Sequence, residues 1–437
     1  MALIVVIIVI ITALVFDFTN GFHDSANAMA TSVATGAFSP KAAVAVAAVL
    51  NFAGAAMSTE VAKTISHGLV DDKLVTPEAV FAGLAGAILW NLITWFAGLP
   101  SSSSHAMFGG LIGAVVAWHG MNGVYVGNVL SKILLPALVA PVVAGLASVI
   151  ATKIAYSAAN QNHRQVEDAF QMGQRLTGSL VALAHGTSDG QKTMGIITLV
   201  LVAGGFQEAG TGPHFWVICA AGAAIALGTY SGGWRIMRTM GKGLVEIEPT
   251  QGFACEASAT TAILVSSHLG FGLSTTHVVT GAILGSGLGR GTKVNWSVAG
   301  RMGIAWLLTL PAAGLIGAFS SLIAHQGIVG FVGVLAVIVV LAGVIVWRAN
   351  KDRIDHTNVN DIKGADLSGD DAPYTVKYLD SDDDFKPVVR SKVIGETTDS
   401  DDVWQIPSAR VRGWAPIIVH RPAISVVDAL APSGGAK

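Results

Sequence analysis

Charge is what this sequence has least of for its size. Only 12% of its 437 residues are Asp, Glu, Lys or Arg, against roughly 25% in a soluble globular domain. Cysteine is scarcer still: Cys219 and Cys255 both lie in apolar segments, which excludes a disulfide framework. The net charge of −2 identifies no partner by itself, and no nucleic-acid partner is expected. Residues 2–15 have neither a basic leading region nor a small-residue cleavage site, so they are read as part of the first membrane element rather than as a signal peptide. Lys and Arg are missing altogether from 119–131, 204–212 and 325–326.

What is present is hydrocarbon. Hydrophobic residues make up 52% of the chain and the mean hydropathy is +0.60. Repeated apolar windows near the length of a membrane span indicate a polytopic membrane protein, and 51 glycines suit helices packed closely in lipid. The spacing predicts apolar segments at 2–16, 20–38, 42–62, 79–118, 132–156, 176–203, 213–231, 254–289, 301–324 and 327–347. After Trp347 the sequence turns polar and then acidic ("DLSGDDAPYTVKYLDSDDDF"), which predicts a soluble tail, loosely ordered in its acidic half.

The chain repeats itself. "GFHDSANAM" (21–29) aligns with "GTSDGQKTM" (186–194), so that Asp24 meets Asp189 and Asn27 meets Lys192. "GLPSSSSHAMFGGLIGA" (98–114) aligns with "GFGLSTTHVVTGAILGS" (270–286), pairing Ser103, Ser104 and His105 with Thr275, Thr276 and His277. Two motifs recurring in one order indicate duplicated halves. We divide the chain into a first transmembrane repeat (1–156), a central cytoplasmic loop (157–175), a second repeat with an extra span (176–347) and the tail (348–437). Placing every Lys/Arg cluster in the cytoplasm requires 84–118 and 254–289 to be re-entrant hairpins. The fold expected is therefore an all-α polytopic membrane protein, an inverted-topology repeat with broken helices and two re-entrant hairpins, as in secondary transporters. The tail is then cytoplasmic and the N-terminus outside.

Within "FDFTNGFHDSANAMATSVATG" (16–36), Asp17, Asn20, His23, Asp24 and Asn27 stand among apolar residues. Ionisable groups in membrane segments are costly and mark ion or substrate paths. Asp24 and Asp189 are expected at Gly-rich breaks, where unwound backbone offers carbonyls to a cation. The runs "SSSSH" and "LSTTH" each open a helix, where free N–H groups, hydroxyls and the helix dipole form an anion cradle. His105 and His277 are ligands, proton carriers or satisfied helix histidines. Glu60 and Glu256 are further carboxylates in apolar surroundings, and both are coupling-ion or proton candidates beside Asp24, Asp189 and Lys192.

These motifs resemble the inorganic phosphate transporter (Pit/PiT) family, through "GFHDSANAMAT", "AILWNLITWFAGLPSSSSH", "AHGTSDGQKTMGIITLVLV" and "GLSTTHVVTGAILGSGL", in particular its bacterial low-affinity branch. The resemblance covers residue 10 to about 345 and leaves the tail uncovered. It implies a transporter rather than an enzyme, importing inorganic phosphate across the plasma membrane by proton symport. The cargo it allows includes a neutral divalent metal–phosphate complex, with no resident metal or cofactor. It places Asp24, Asn27, Ser103 and Ser104 on substrate and ion positions in one half, and Asp189, Ser274, Thr275 and Thr276 in the other. Lys192 departs from the asparagine that sodium-coupled relatives tend to carry in both halves. A fixed ammonium there replaces a sodium ion and neutralises an anion, which favours protons. Sulfate permeation on the same fold and sodium coupling stay open as alternatives. Partners are phosphate and the lipid bilayer; the organisation accommodates a homo-oligomer and assigns the tail no partner. An intramembrane serine hydrolase would need Ser and His facing each other across helices, and Ser104 and His105 are neighbours on one helix.

Overall fold

Residues Ala2–Ala34 form one uninterrupted helix, α1, in the computed structural model, which describes residues 2–71, 74–159, 163–360, 374–379 and 386–391. A broken segment follows, α2 (Pro40–Ala55) and α3 (Glu60–Gly68), then a helical hairpin, α4 (Pro77–Phe96) and α5 (Ser103–His119). A short α6 (Val126–Val129) leads through a π-type turn into α7 (Leu135–Ala158). The order then recurs. The long α8 (His163–Ala203) is followed by α9 (Phe215–Ser231) and α10 (Trp234–Arg238), a second hairpin of α11 (Pro249–His268) and α12 (Thr275–Arg290), and α13 (Trp296–Ala324). The additional α14 (Ile328–Ala349) ends the bundle. Among the described residues five helices are long and apolar enough to cross a membrane. The bent pair Phe215–Ser231 and Trp234–Gly243, 61° apart, makes a sixth if counted as one span.

The expected breaks at Asp24 and Asp189 are absent, because α1 and α8 run straight through them. Asp17, Asn20, Asp24, Asn27 and Thr31 follow a three-and-four spacing that puts them on one face of a helix. That face is buried, and neighbouring helices can satisfy the side chains without unwinding the backbone. The glycines serve close approach instead. A Cβ on Gly21 would fall 2.3 Å from the Ile225 carbonyl oxygen, and one on Gly186 the same distance from that of Asn51. The real breaks lie in the second helix of each half, between α2 and α3 and between α9 and α10, the latter at Gly232 with φ +76°. Residues 163–175, read from sequence as loop, belong to α8, anchored by Phe170 edge-on to Phe253 of α11.

The duplication is visible in the packing. Helix α1 lies on α9 and α8 on α2, while α5 lies on α13 and α12 on α7. In each case a helix of one half rests on its counterpart's neighbour in the other half. Gly109 and Gly113 of α5 meet the Leu310 and Gly314 carbonyls, and Gly281 and Gly285 of α12 meet those of Pro141 and Gly145. Even the isolated bridges pair off, Val70 with Val124 and Val245 with Val294.

Beyond α14 the chain folds back on the bundle. Arg235 donates to the Ala349 carbonyl at 2.8 Å and Arg238 to that of Asn358 at 2.5 Å, and Val359 is buried. Within the stretch expected to be loosely ordered, Tyr374–Leu379 is a strand paired antiparallel with Lys386–Ser391. The rest of the tail lies outside the described residues.

Because a Cβ at position 113 would sit 2.0 Å from the Gly314 carbonyl oxygen, Gly113→Ala should force the halves apart. We expect a loss of about 1–3 kcal/mol, seen as a drop of about 2 °C or more in the melting temperature of detergent-solubilised protein. Gly300→Ala, which meets nothing within 4 Å, should leave the transition in place.

Candidate functional site

Each hydroxyl run does open a helix. Ser102 accepts the His105 N–H at 3.1 Å and caps α5; Ser274 accepts the His277 N–H at 3.3 Å and caps α12. The cap uses a lone pair of Ser102 in one half and of Ser274 in the other, so Ser274 stands at the helix start rather than in the ring described next. The next two hydroxyls, Ser103 and Ser104 in one half and Thr275 and Thr276 in the other, point to the acidic helices.

Their pairing follows the repeat. The Ser103 hydroxyl donates to Asp24 Oδ2, and the equivalent Thr275 donates to Asp189 Oδ2 at 3.3 Å. Three residues beyond each aspartate the chain reaches across to the opposite half. Asn27 Nδ2 donates to Thr276 Oγ1 at 2.9 Å, and Lys192 Nζ donates to Ser104 Oγ at 2.5 Å. Lys192 Nζ also meets Asp189 Oδ1 at 2.5 Å and the Leu273 carbonyl at 3.2 Å. Thr276 closes the ring with Asp24 Oδ1 at 3.4 Å. Asp24, Asn27, Ser103, Ser104, Asp189, Lys192, Thr275 and Thr276 are all buried.

Behind this ring stand four histidines, of which the sequence reading passed over His185. His23 Nδ1 lies 2.8 Å from Asp24 Oδ1, and its Nε2 faces the Thr94 and Ser101 hydroxyls at 3.3 Å. His185 Nδ1 faces Asn51 Oδ1 at 3.1 Å, and its Nε2 lies 3.4 Å from Asp189 Oδ2. His185 sits four residues before Asp189, one helical turn, and that spacing was the available signal. His105 and His277 come together with ring centroids 4.9 Å apart. His277 Nδ1 donates to the Ala137 carbonyl at 3.2 Å, whereas the Nε2 of each ring has no partner among the described residues.

The two glutamates part company. Glu60 opens α3 with its side chain 52% exposed and paired to Lys63 at 2.7 Å, away from the ring. Glu256 is buried in a separate nest of neutral donors: Thr31 at 2.6 Å, Ser32 at 2.7 Å, Thr177 at 2.7 Å and Gln174 at 3.1 Å. For a cation, Asp24, His185 and Asp189 offer ligand atoms within 4.8 Å of one another. Lys192 already holds one oxygen of Asp189, so an ion there would have to share that carboxylate with an ammonium.

The ring therefore joins two carboxylates, an ammonium and four hydroxyls, fed by two helix N-termini. It can bind a small oxyanion by charge-assisted hydrogen bonds, with no covalent step.

Comparison with known proteins agrees with that chemistry. The profile of the Phosphate transporter family matches residues 20–164 and 153–317. A protein from Mycobacterium bovis named "Probable low-affinity inorganic phosphate transporter" is 52% identical over 363 residues, 82% of this chain and 87% of that protein. A protein of the same description from Bacillus subtilis is 40% identical over 329 residues, 74% of this chain and 98% of its own. The solved structure titled "The sodium-dependent phosphate transporter" superimposes with a TM-score of 0.68 at 26% identity, over 74% of this chain and 99% of that one. A buried ring of carboxylates, ammonium and hydroxyls inside a helical membrane bundle, and a close sequence match over most of the chain, lead to one conclusion: the chain belongs to the phosphate transporter family, multi-pass membrane proteins that move inorganic phosphate.

Proposed function

We propose that the chain imports inorganic phosphate across the plasma membrane by proton symport, with the substrate held in the ring between Ser103, Ser104, Thr275 and Thr276. The observation that carries the coupling is Lys192. Where the first half presents the neutral Asn27, the second presents an ammonium already bonded to Asp189 and Ser104. A cation placed beside a fixed ammonium is repelled, whereas a proton can be taken up by a carboxylate. When phosphate enters, its oxygens compete with Asp189 for Lys192, and the hydroxyls of both halves turn toward it. Phosphate also brings O–H donors that sulfate lacks at neutral pH, and buried acceptors stand ready for them. Asp24 is one; the other is Asn27 Oδ1, which has no partner among the described residues. This favours phosphate over sulfate. A divalent ion accompanying phosphate would be cargo, neutralising the anion inside the ring.

A second reading is sodium coupling. It is favoured by the superimposed structure, whose title describes a sodium-dependent protein, and by the oxygens of Asp24 and Asp189. Lys192 and the lack of a second asparagine weigh against it.

The orientation follows the basic residues. Arg175 bonds the Ala37 carbonyl and Lys242 that of Ala34, while Arg235 and Arg238 hold the start of the tail. These sit together at one end of the bundle, which the positive-inside rule assigns to the cytoplasm. The tail is then cytoplasmic, with residues 120–128 and the start of α1 on the outer side. Two re-entrant hairpins, α4–α5 and α11–α12, and inverted halves complete this arrangement. Membrane-impermeant labelling of single cysteines should reach 120–128 only from outside and 236–243 only from the cytoplasm. Labelling of 120–128 from the cytoplasm would remove the inverted arrangement.

Two further outcomes follow for purified protein in proteoliposomes. Asp24→Asn and Asp189→Asn should each reduce labelled-phosphate uptake to background while the protein still elutes as a single species, since each removes a buried acceptor and its charge. An inward proton gradient should drive wild-type accumulation, up to about tenfold per unit of pH for one proton per phosphate. A sodium gradient should have no effect, and sulfate should not compete. Lys192→Asn should lose the proton-driven accumulation; a wild-type protein driven by sodium alone would favour the second reading.

A further inference from the structure

The face of α1 that carries Asp24 also carries Asp17, seven residues and about 10 Å nearer the helix start, and none of the contacts above involves it. Its side chain is fully buried, at 0% exposure, and neither carboxylate oxygen has a hydrogen-bond partner among the described residues. Beside it stand Asn20 and Thr193. The Asn20 side-chain oxygen and the Thr193 hydroxyl are likewise buried without partners among the described residues. Leaving a buried carboxylate and its neighbours unmatched is costly, so this group needs something more than it holds.

The missing component can be read from the donor and acceptor inventory. The partnerless atoms are the two Asp17 oxygens, Asn20 Oδ1 and Thr193 Oγ1, all acceptors, and the threonine hydroxyl supplies the one hydrogen among them, the Asn20 NH2 being the other donor beside the carboxylate. A single added proton gives the partnerless oxygens a second hydrogen. The acid O–H can serve the Asn20 oxygen while the threonine hydroxyl serves the other carboxyl oxygen. A hard metal cation would want about six oxygens, and here it would stand near the Lys192 ammonium. The adjoining Phe16 and Met194 belong to the apolar core and add no ligand.

The charged groups that face Asp17 are Asp189 and Lys192 of α8. Of the other helices packed on α1, α9 has no charged residue and α4 carries only Glu78, in its first turn. The α5 and α12 histidines, His105 and His277, face each other with tilted rings behind the hydroxyl ring. Glu256 of α11 bonds Thr31 and Ser32, and Lys242 bonds Ala34, both near the far end of α1. On α1 itself, His23 and Asp24 are tied to each other.

We propose that Asp17 is the carboxyl that takes up the coupling proton, set one step back from the residues that hold phosphate; this rests on the proton-symport reading above. With Asp17, Asp24 and Asp189 ionised against the Lys192 ammonium, the centre carries two net negative charges and repels an anion. One proton on Asp17 leaves a single negative charge and releases Lys192 from competition between two carboxylates. The protonated centre binds phosphate more tightly, and by linkage bound phosphate raises the proton affinity by the same factor. That reciprocity couples the two ions without Asp17 touching the substrate.

The test uses the full chain in proteoliposomes and two assays. One follows exchange of labelled phosphate with phosphate on both sides at equal pH. The other follows accumulation driven by an inward proton gradient, with a pH dye reporting proton movement. Asp17→Asn mimics the permanently protonated acid. It should retain exchange within about threefold of wild type yet lose both gradient-driven accumulation and phosphate-induced proton movement. Asp17→Glu should restore them. Undiminished gradient-driven accumulation in Asp17→Asn overturns the assignment. Loss of exchange together with accumulation, in a variant that elutes like wild type, overturns it too, because Asp17 would then serve the phosphate ring or the packing. Wild-type accumulation on a sodium gradient alone, with no response to protons, instead sinks the symport reading on which the assignment rests.

Discussion

A lysine ammonium buried inside a membrane bundle has to be matched, and three oxygens match Lys192: Asp189 one turn away, Ser104 from the opposite half, and the Leu273 carbonyl at the mouth of α12. Breaking one partner of a buried pair of this kind typically costs about 3–5 kcal/mol. The pair alone is weak grounds for stability, since an apolar replacement could pack as well. Its value is positional. Lys192 fixes α8 against α5 and α12 together, so the tips of both hairpins are held against one charge. Asn27 does the same from α1 toward Thr276 with a neutral amide.

That arrangement is possible only because the helices come close. Lipid supplies no hydrophobic drive between helices, so association rests on packing and interhelical hydrogen bonds. The glycines of α1, α5, α8 and α12 set backbone against backbone at equivalent places in the two halves. The polar ring sits where those contacts bring the halves together. Asn51 illustrates the link, since its backbone packs on Gly186 while its side chain joins His185 and Thr229. A substitution that widened this seam would separate Lys192 from Ser104 as surely as removing either side chain.

Much of this was legible in the sequence. The two aspartates, the asparagine–lysine exchange and the paired hydroxyl runs announced themselves because charge is scarce in this chain and the hydroxyls come in consecutive runs. Eight of the nine residues expected to bind substrate converge in the ring, and Ser274 lies beside it as the cap of α12. The helix breaks were misplaced for a different reason. Glycine next to a buried aspartate can mean an unwound backbone or a close helix contact, and sequence does not say which; Gly21 and Gly186 turned out to be contacts. The same ambiguity promoted Glu60, whose apolar neighbours say nothing of its exposure at the start of α3. His185 gained meaning only from what the other helices brought beside it, and Asp17 and His23, conspicuous in the first helix, gained their neighbours from the fold.

The central claim is that phosphate sits between the two hydroxyl pairs and takes Lys192 from Asp189. Cryo-electron microscopy of the full chain in nanodiscs at saturating phosphate tests it most directly. The account predicts tetrahedral density bounded by Ser103, Ser104, Thr275 and Thr276, with the Lys192 ammonium moved onto it. Phosphate density elsewhere in the bundle, with Lys192 still bridging Asp189 and Ser104, would contradict it.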